Sequence, residues 1–267
     1  MSGRTKFPDI AAYSRDYISM DIMIYGYWEI KEIETLRFLI QRLGLGGIFI
    51  DIGANIGCYS LGIGESFERT LAFEPCHENF SLLTHNLRFN MSTPYSAHQI
   101  ALGSQHGRIA IEVNKANRGG ARVIEGIAKN TSPGENMVEV FTLDEFLANH
   151  AEDIYGLKVD LLKIDVEGYE AQVIKGSLKA IESYKPVIAF EFTSNENLDC
   201  NHFSVLEDLG YSFMILRKGR TGLINRLYAP LGLPYFLTLV KANDIIARNR
   251  HINLVYAIPS KFMHLLG

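Results

Sequence analysis

Apolar and polar positions along the chain follow two alternating periods, which predict strands and helices in alternation. Short apolar runs predict strands over residues 48–50, 70–73, 95–102, 159–165, 187–192, 211–217 and 253–258. Apolar residues at helical spacing predict helices over residues 29–43, 76–90, 143–151 and 201–209. Because residues 48–50 are continuously apolar, we expect a central parallel strand that is covered on both faces. The pattern therefore predicts an α/β fold built on a mostly parallel sheet.

One part of the pattern departs from this alternation. Residues 108–114 and 138–142 resemble antiparallel strands, and residues 115–135 between them are polar and rich in Gly, Asn and Arg. Long loops on a rigid α/β scaffold commonly carry specificity. We expect this loop to contribute to substrate selection.

A glycine-rich turn follows the first predicted strand, with the spacing Asp51-x-Gly53-x-x-x-Gly57. Gly53 permits a tight turn close to a ligand, and Gly57 allows the next helix to pack closely on the strand. In a dinucleotide fold the second glycine of the motif would stand at the position of Asn55, after Ala54. The side chain of Asn55 therefore fills the space that a pyrophosphate would need. Asp51 would repel a phosphate but could pair with a cationic amino-acid group. This chemistry favours S-adenosylmethionine, which carries an ammonium, a sulfonium and no phosphate.

The second predicted strand ends in Glu74-Pro75. In a doubly wound sheet, an acidic residue about 20 residues beyond the glycine turn binds the two ribose hydroxyls of the ligand. Glu74 fits that position, and Pro75 opens the following helix. Ala101 and Leu102, at the end of the third predicted strand, are expected beside the adenine.

These segments resemble the FkbM-type family of S-adenosylmethionine-dependent methyltransferases, whose motifs occur here in the family's order. The segments concerned are Asp51–Gly57, Ala72–Pro75, Ala101–Gly103, Thr142–Asp144 and Leu162–Glu170. The resemblance implies a Rossmann-like class I methyltransferase with a mostly parallel seven-stranded sheet and helices on both faces. It also implies methyl transfer to a hydroxyl of a sugar, glycan or polyketide-type product. We divide the chain into an N-terminal extension with a helix packing on the core (residues 1–46) and the methyltransferase domain (residues 47–260).

The fourth predicted strand ends in a cluster of charged residues that includes Lys163, Asp165 and Glu167. Ligands of open parallel sheets lie beyond the carboxyl ends of the strands, so Asp165 is placed where methyl donor and acceptor meet. Lys163 shares the face of Asp165 and is interpreted as its ion-pair partner beneath the pocket. Glu167 either binds the acceptor or caps the following helix.

A hydroxyl acceptor must lose its proton to a base within hydrogen-bond reach. Asp165 or Glu167 is the predicted catalytic base, and His202 and His77 are weaker alternatives. Asp165, Glu191, Asn195 and Asn197 carry oxygens of the kind that hold a divalent cation, although we do not expect a metal site.

Composition and charge restrict the binding partners and the cellular location that we expect. The net charge of −4, from 26 basic and 30 acidic residues, gives no electrostatic footprint for nucleic acid. Three cysteines without metal-ligand spacing suit a reducing compartment, and no signal peptide is visible, so we expect a cytoplasmic protein. The late apolar stretch over residues 223–240 is interrupted by Arg, Pro and Gly, and we do not expect membrane contact. The oligomeric state is not encoded in these patterns.

Two other classes share parts of this sequence pattern. A dehydrogenase would share the sheet and the acidic strand end, but Asn55 argues against it. A non-catalytic cofactor-binding module would share every cofactor motif, and only turnover separates that class from an enzyme.

Overall fold

The computed structural model describes residues 7–14, 16–114, 117–124, 137–154, 156–193, 200–218, 235–247 and 251–266. The strands within these ranges are β1 (Ile48–Ile52), β2 (Arg69–Phe73), β3 (Tyr95–His98), β4 (Ala101–Leu102), β5 (Gly107–Asn114), β6 (Asn117–Ile124), β7 (Met137–Phe141), β8 (Val159–Ile164), β9 (Val187–Thr193), β10 (Tyr211–Lys218), β11 (Tyr235–Val240) and β12 (His251–Pro259). The α-helices are α1 (Tyr17–Tyr25), α2 (Ile30–Leu43), α3 (Cys58–Ile63), α4 (His77–Asn90), α5 (Leu143–Asn149), α6 (Ala151–Ile154), α7 (Glu170–Lys175), α8 (Leu178–Tyr184), α9 (Asn201–Asp208), α10 (Ala242–Ile246) and α11 (Ser260–Leu266).

The described residues form one eight-stranded sheet with the order β11-β10-β12-β9-β8-β1-β2-β3. The strands from β9 through β8 and β1 to β3 pair in parallel, whereas β12, β10 and β11 pair antiparallel. The α/β class and the mostly parallel sheet are confirmed. The predicted count of seven strands is wrong. The additional strand, β11, lies within the apolar stretch over residues 223–240, where the sequence pattern predicted no strand.

A smaller four-stranded sheet has the order β4-β7-β5-β6. The prediction of one strand over residues 95–102 is wrong, because the chain leaves the large sheet after β3 and enters the small sheet at β4. The predicted antiparallel pair is confirmed as β5 and β7. Strand β6 occupies part of the polar segment that was predicted to be a loop, and residues 115–116 and 125–136 lie outside the described residues.

Apolar clusters cover both faces of the large sheet. In β1, Ile48, Ile50 and Ile52 point into one cluster and Phe49 points into the other, as the period of two requires. The first cluster receives side chains from α5, α7, α8, α9 and α10, and the second receives them from α2 and α3. Helices therefore cover both faces, as the family resemblance implied.

The N-terminal part packs on this core through α2 and the segment before α1. Helix α2 buries Ile33, Leu36, Ile40 and Leu43, the stripe that the helical spacing predicted. Phe7 stacks on Tyr27 with ring centroids 4.4 Å apart. We retain the division into residues 1–46 and 47–260 as a proposal. Among the described residues, no helix is long and apolar enough to cross a membrane.

Candidate active site

A cavity of about 440 Å³ lies beyond the carboxyl ends of β1, β2, β8 and β9. Its volume is in the range of small-molecule binding pockets. Nine residues predicted from the sequence line it: Gly53, Ala54, Asn55, Glu74, Pro75, Ala101, Leu102, Asp165 and Glu167. The fold thus brings together the glycine turn, the acidic strand end and the cluster after β8.

The glycine turn is fixed by backbone geometry and by Glu74. Gly53 and Asn55 have φ of 74° and 51°, in the left-handed region that favours glycine and is tolerated by asparagine. Glu74 accepts hydrogen bonds from the backbone N–H groups of Asn55 and Cys76, each at 2.9 Å. A strand-end carboxylate therefore joins the β1 turn to the start of α4, at the wall of the cavity.

Glu74 is 4% exposed, and burial raises its pKa to about 7 against the opposing hydrogen bonds from Cys76 and Asn55. A buried carboxyl group is stabilised when a ligand donates hydrogen bonds to it. The environment suits a pair of ribose hydroxyls.

Asp51 and Gly57 are predicted cofactor residues that do not line the cavity. Asp51 is fully buried; its Oδ2 accepts a hydrogen bond from Ser60 at 2.7 Å, and its Oδ1 lies 3.5 Å from Lys163 Nζ. The prediction of direct pairing with a ligand does not match this position, because β1 turns the Asp51 side chain under the cavity floor. Gly57 faces α4, where a Cβ atom would lie 3.0 Å from Leu83.

Lys163 stands at the centre of a charge network beneath the cavity. Parallel pairing of β1 and β8 sets it opposite Asp51, and its Nζ also lies 3.3 Å from Asp165 and donates to the Gly53 carbonyl at 3.0 Å. Burial alone would lower the pKa of Lys163, but the carboxylates of Asp165 and Asp51 outweigh burial and raise it. Lys163 is therefore a charged structural residue, the ion-pair partner that the sequence suggested.

The loop after β8 is held by Glu170. Glu170 Oε1 accepts from the backbone N–H groups of Val166 and Gly168, each at 3.1 Å. Glu167 has a left-handed φ of 55°, precedes the start of α7 and lines the cavity. Its position favours a role toward a ligand over helix capping.

Several cavity residues were not assigned to the site from the sequence. They include Glu29, Tyr59, Thr193, His251 and Asn253. Tyr59 donates to Glu29 at 2.5 Å, and Asn253 donates to Glu29 at 3.2 Å. Burial and, next, the charge of Asp165 raise the pKa of Glu29 to about 8. These residues come from four separate parts of the chain and carry no local motif, so no sequence signal groups them.

The weaker sequence candidates lie elsewhere. His202 is buried against Phe190 and Phe203, and His77 lies at the start of α4; neither lines the cavity. Asn195 and Asn197 lie outside the described residues. Within the described part of the chain, no group of three or more His, Cys, Asp or Glu side chains is arranged to hold a metal ion.

The sheet order and the cavity together define a class I, Rossmann-like methyltransferase domain. The chain belongs to the FkbM methyltransferase family, since the family model described as "Methyltransferase FkbM domain" matches residues 51–213. Its cofactor is S-adenosylmethionine, as the sequence predicted.

Two curated relatives and one solved structure illustrate the similarity. Hexuronic acid methyltransferase AglP of Haloferax volcanii is 26% identical over 165 residues, which are 60% of this chain and 64% of the relative. Methyltransferase 1 of Beauveria bassiana is 24% identical over 212 residues, covering 73% of this chain and 80% of the relative. The crystal structure of Methyltransferase FkbM from Methylobacillus flagellatus KT is 21% identical with a TM-score of 0.47, covering 84% of this chain and 47% of that one. The chain thus spans less than two thirds of the Haloferax relative.

Proposed function

We propose that this protein transfers the methyl group of S-adenosylmethionine to a hydroxyl of a sugar, glycan or polyketide-type product. The observation that carries the proposal is that one cavity joins the glycine turn to Asp165 and Glu167. A hexuronic acid methyltransferase among the relatives supports a sugar-like acceptor. When bound, S-adenosylmethionine supplies a methyl group on an electrophilic sulfonium, and the protein aligns the acceptor and excludes water.

The cofactor end of the cavity lies at β1, β2 and β4. We assign the ribose hydroxyls to Glu74 and the adenine to Ala101 and Leu102. Gly53, Ala54, Asn55 and Pro75 form the wall of that end. Asp51 acts indirectly, by holding Lys163 under the turn.

The acceptor end lies at β8 and β9. We assign Glu167 to acceptor binding, because it lines the cavity beyond the carboxyl end of β8. Asp165 also lines this end of the cavity, but its carboxyl group is engaged by the ammonium of Lys163 at 3.3 Å. Its larger contribution is to fix the charge at the base of the acceptor end.

The charges of the cavity argue against a dinucleotide cofactor. Five carboxyl side chains line it: Glu29, Glu74, Asp165, Glu167 and Glu191. Lys163, the lysine in the described lining, already forms ion pairs with Asp51 and Asp165. A pyrophosphate would therefore meet several carboxyl groups, and the lysine in the described lining is not available to pair with it.

The test is calorimetric titration with S-adenosylhomocysteine and with NAD, followed by transfer of labelled methyl groups to hydroxylated sugars. We expect binding of S-adenosylhomocysteine, no comparable binding of NAD, and transfer to at least one acceptor. Equal or tighter NAD binding would contradict the assignment of S-adenosylmethionine as the cofactor. Binding of S-adenosylhomocysteine without transfer to any acceptor would favour the non-catalytic module.

We also propose a cytoplasmic location, with which the three free cysteines agree.

A further inference from the structure

Antiparallel pairing of β9 and β12 places a histidine at the acceptor end of the cavity. The first residue of β12, His251, pairs with the last residue of β9, Thr193. Because the strands run in opposite directions, the amino end of β12 lies beside the carboxyl end of β9, where the cavity opens. His251, Thr193 and Glu191 all line that cavity.

One ring nitrogen of His251 is held by two partners from β9. Nδ1 lies 3.1 Å from Glu191 Oε1 and 2.9 Å from Thr193 Oγ1. If Nδ1 carries the proton, it donates to Glu191 and leaves a lone pair on Nε2. If the threonine hydroxyl instead donates to Nδ1, the proton resides on Nε2. Glu191 also hydrogen-bonds Asp165, so its own carboxyl proton is engaged there and Oε1 is free to accept, which favours the proton on Nδ1.

We propose that His251 is the general base of methyl transfer and that Glu191 is its positioning residue. This inference rests on the proposed function and names the base that the acceptor end requires. In the step, the acceptor hydroxyl proton passes to Nε2 of His251. The acceptor oxygen bonds to the methyl carbon while the carbon–sulfur bond breaks, and the electron pair of that bond stays on sulfur. His251 then releases the proton to solvent, since its side chain is 52% exposed.

The neighbouring carboxyl groups support this arrangement. Burial and then the negative charge of Asp165 raise the pKa of Glu191 to about 10, so Glu191 keeps its proton at neutral pH. Glu191 can then donate to Asp165 with one oxygen and accept from His251 with Oε1. Three other carboxyl groups have other roles: Asp165 pairs with Lys163, Glu29 accepts from Tyr59, and Glu167 is assigned to acceptor binding.

The first experiment measures the histidine tautomer and needs no acceptor. Nitrogen-15 NMR of the full chain with S-adenosylhomocysteine bound, with the resonance assigned through His251→Gln, reports which ring nitrogen carries the proton. We expect the Nδ1–H tautomer in the parent protein and a shift toward Nε2–H in Glu191→Ala. An Nε2–H tautomer in the parent protein would overturn the inference.

The second experiment compares two acceptors that differ in acidity, methyl β-D-glucopyranoside and 4-nitrophenol. A general base typically contributes 10²- to 10⁴-fold, so His251→Gln should lower transfer to the sugar by about 10²-fold or more. The phenol ionises in neutral water without a base, so its methylation should fall far less. Equal losses on both acceptors, or no loss on the sugar, would contradict the role.

Two controls separate this inference from the proposed function. His251→Gln should bind S-adenosylhomocysteine within about twofold of the parent protein, since the residue lies at the other end of the cavity. His264→Gln changes an exposed histidine on α11 and should leave transfer unchanged. Failure of the parent protein to bind S-adenosylhomocysteine would refute the proposed function, whereas the tautomer decides the inference whether or not transfer is seen.

Discussion

A Cβ atom on residue 53 would lie 1.8 Å from the carbonyl oxygen of Asp165, so Gly53 and Asp165 meet backbone to backbone. The turn after β1 and the loop after β8 are therefore in direct backbone contact at the cavity floor. Lys163 reinforces the contact, since it donates to the Gly53 carbonyl and pairs with the Asp165 carboxylate. The cofactor end and the acceptor end are thus joined by a direct backbone contact.

Gly53→Ala should disrupt this junction. Both the clash with Asp165 and the left-handed φ of 74° oppose a side chain, so we expect a loss of about 3 kcal/mol or more in the free energy of unfolding. Binding of S-adenosylhomocysteine should be lost as well. Urea unfolding and calorimetry measure the two effects.

Gly156→Ala is the matched control for that prediction. Gly156 has a similar φ of 72°, but a Cβ atom there would meet nothing within 4 Å. It should lose only about 1 to 2 kcal/mol, the cost of the left-handed backbone. Equal losses for the two variants would show that the contact with Asp165 contributes nothing.

Lys163→Met should strongly destabilise the protein, because it leaves Asp51 and Asp165 without their cation. Removing one partner of a buried ion pair costs about 3 to 5 kcal/mol. Lys158→Met is the control, since Lys158 pairs with Asp160 at 3.5 Å but is 64% exposed, and should cost less than about 1 kcal/mol. Thermal and urea unfolding of both variants provide the comparison; similar small losses would mean that the network does not stabilise the floor.

Glu74→Gln should weaken the binding of S-adenosylhomocysteine by more than tenfold. At pH 8, above the pKa of about 7, the variant removes a charged acceptor, and hydrogen bonds to charged groups contribute about 1.5 to 3 kcal/mol. Glu78→Gln changes an exposed carboxylate on α4 that does not line the cavity, and its affinity should stay within about twofold. An unchanged dissociation constant for folded Glu74→Gln, measured by calorimetry, would assign the ribose to another residue.

The stability of the protein should fall as the pH rises from about 5 to about 7, partly because of Glu170. Burial raises the pKa of Glu170 from 4.5 to about 7. Within that window the folded protein keeps a proton that the unfolded chain has released, so the free energy of unfolding decreases with pH. One group contributes at most about 1.4 kcal/mol per pH unit.

Glu170→Gln should make this decrease shallower, because it removes the titrating group and keeps an oxygen for the N–H groups of Val166 and Gly168. Glu170→Ala loses that acceptor and should destabilise at both pH values. Urea unfolding at about pH 5 and pH 7 distinguishes the two. Parallel pH dependence in Glu170→Gln and the parent protein would refute the assignment.

The sequence by itself determined the parts of the molecule that depend on local pattern. The apolar runs placed β1, β2 and β8 to within a few residues, and helical spacing placed α2 and α4. The glycine turn and the Glu74 strand end were recognisable because a close backbone approach and a strand-end acid require particular residues at fixed spacing. Those constraints also sufficed for the family and the cofactor.

Tertiary structure decided where these residues point and which distant residues join them. The division of residues 95–102 between two sheets depends on pairing with β7, and the register between β1 and β8 turns Asp51 toward Lys163 and away from the cavity. Glu29 and His251 reach the site from the residue before α2 and from the start of β12, more than 200 residues apart. Strand register and helix docking are set by packing between distant segments, and a local sequence pattern carries no record of that packing.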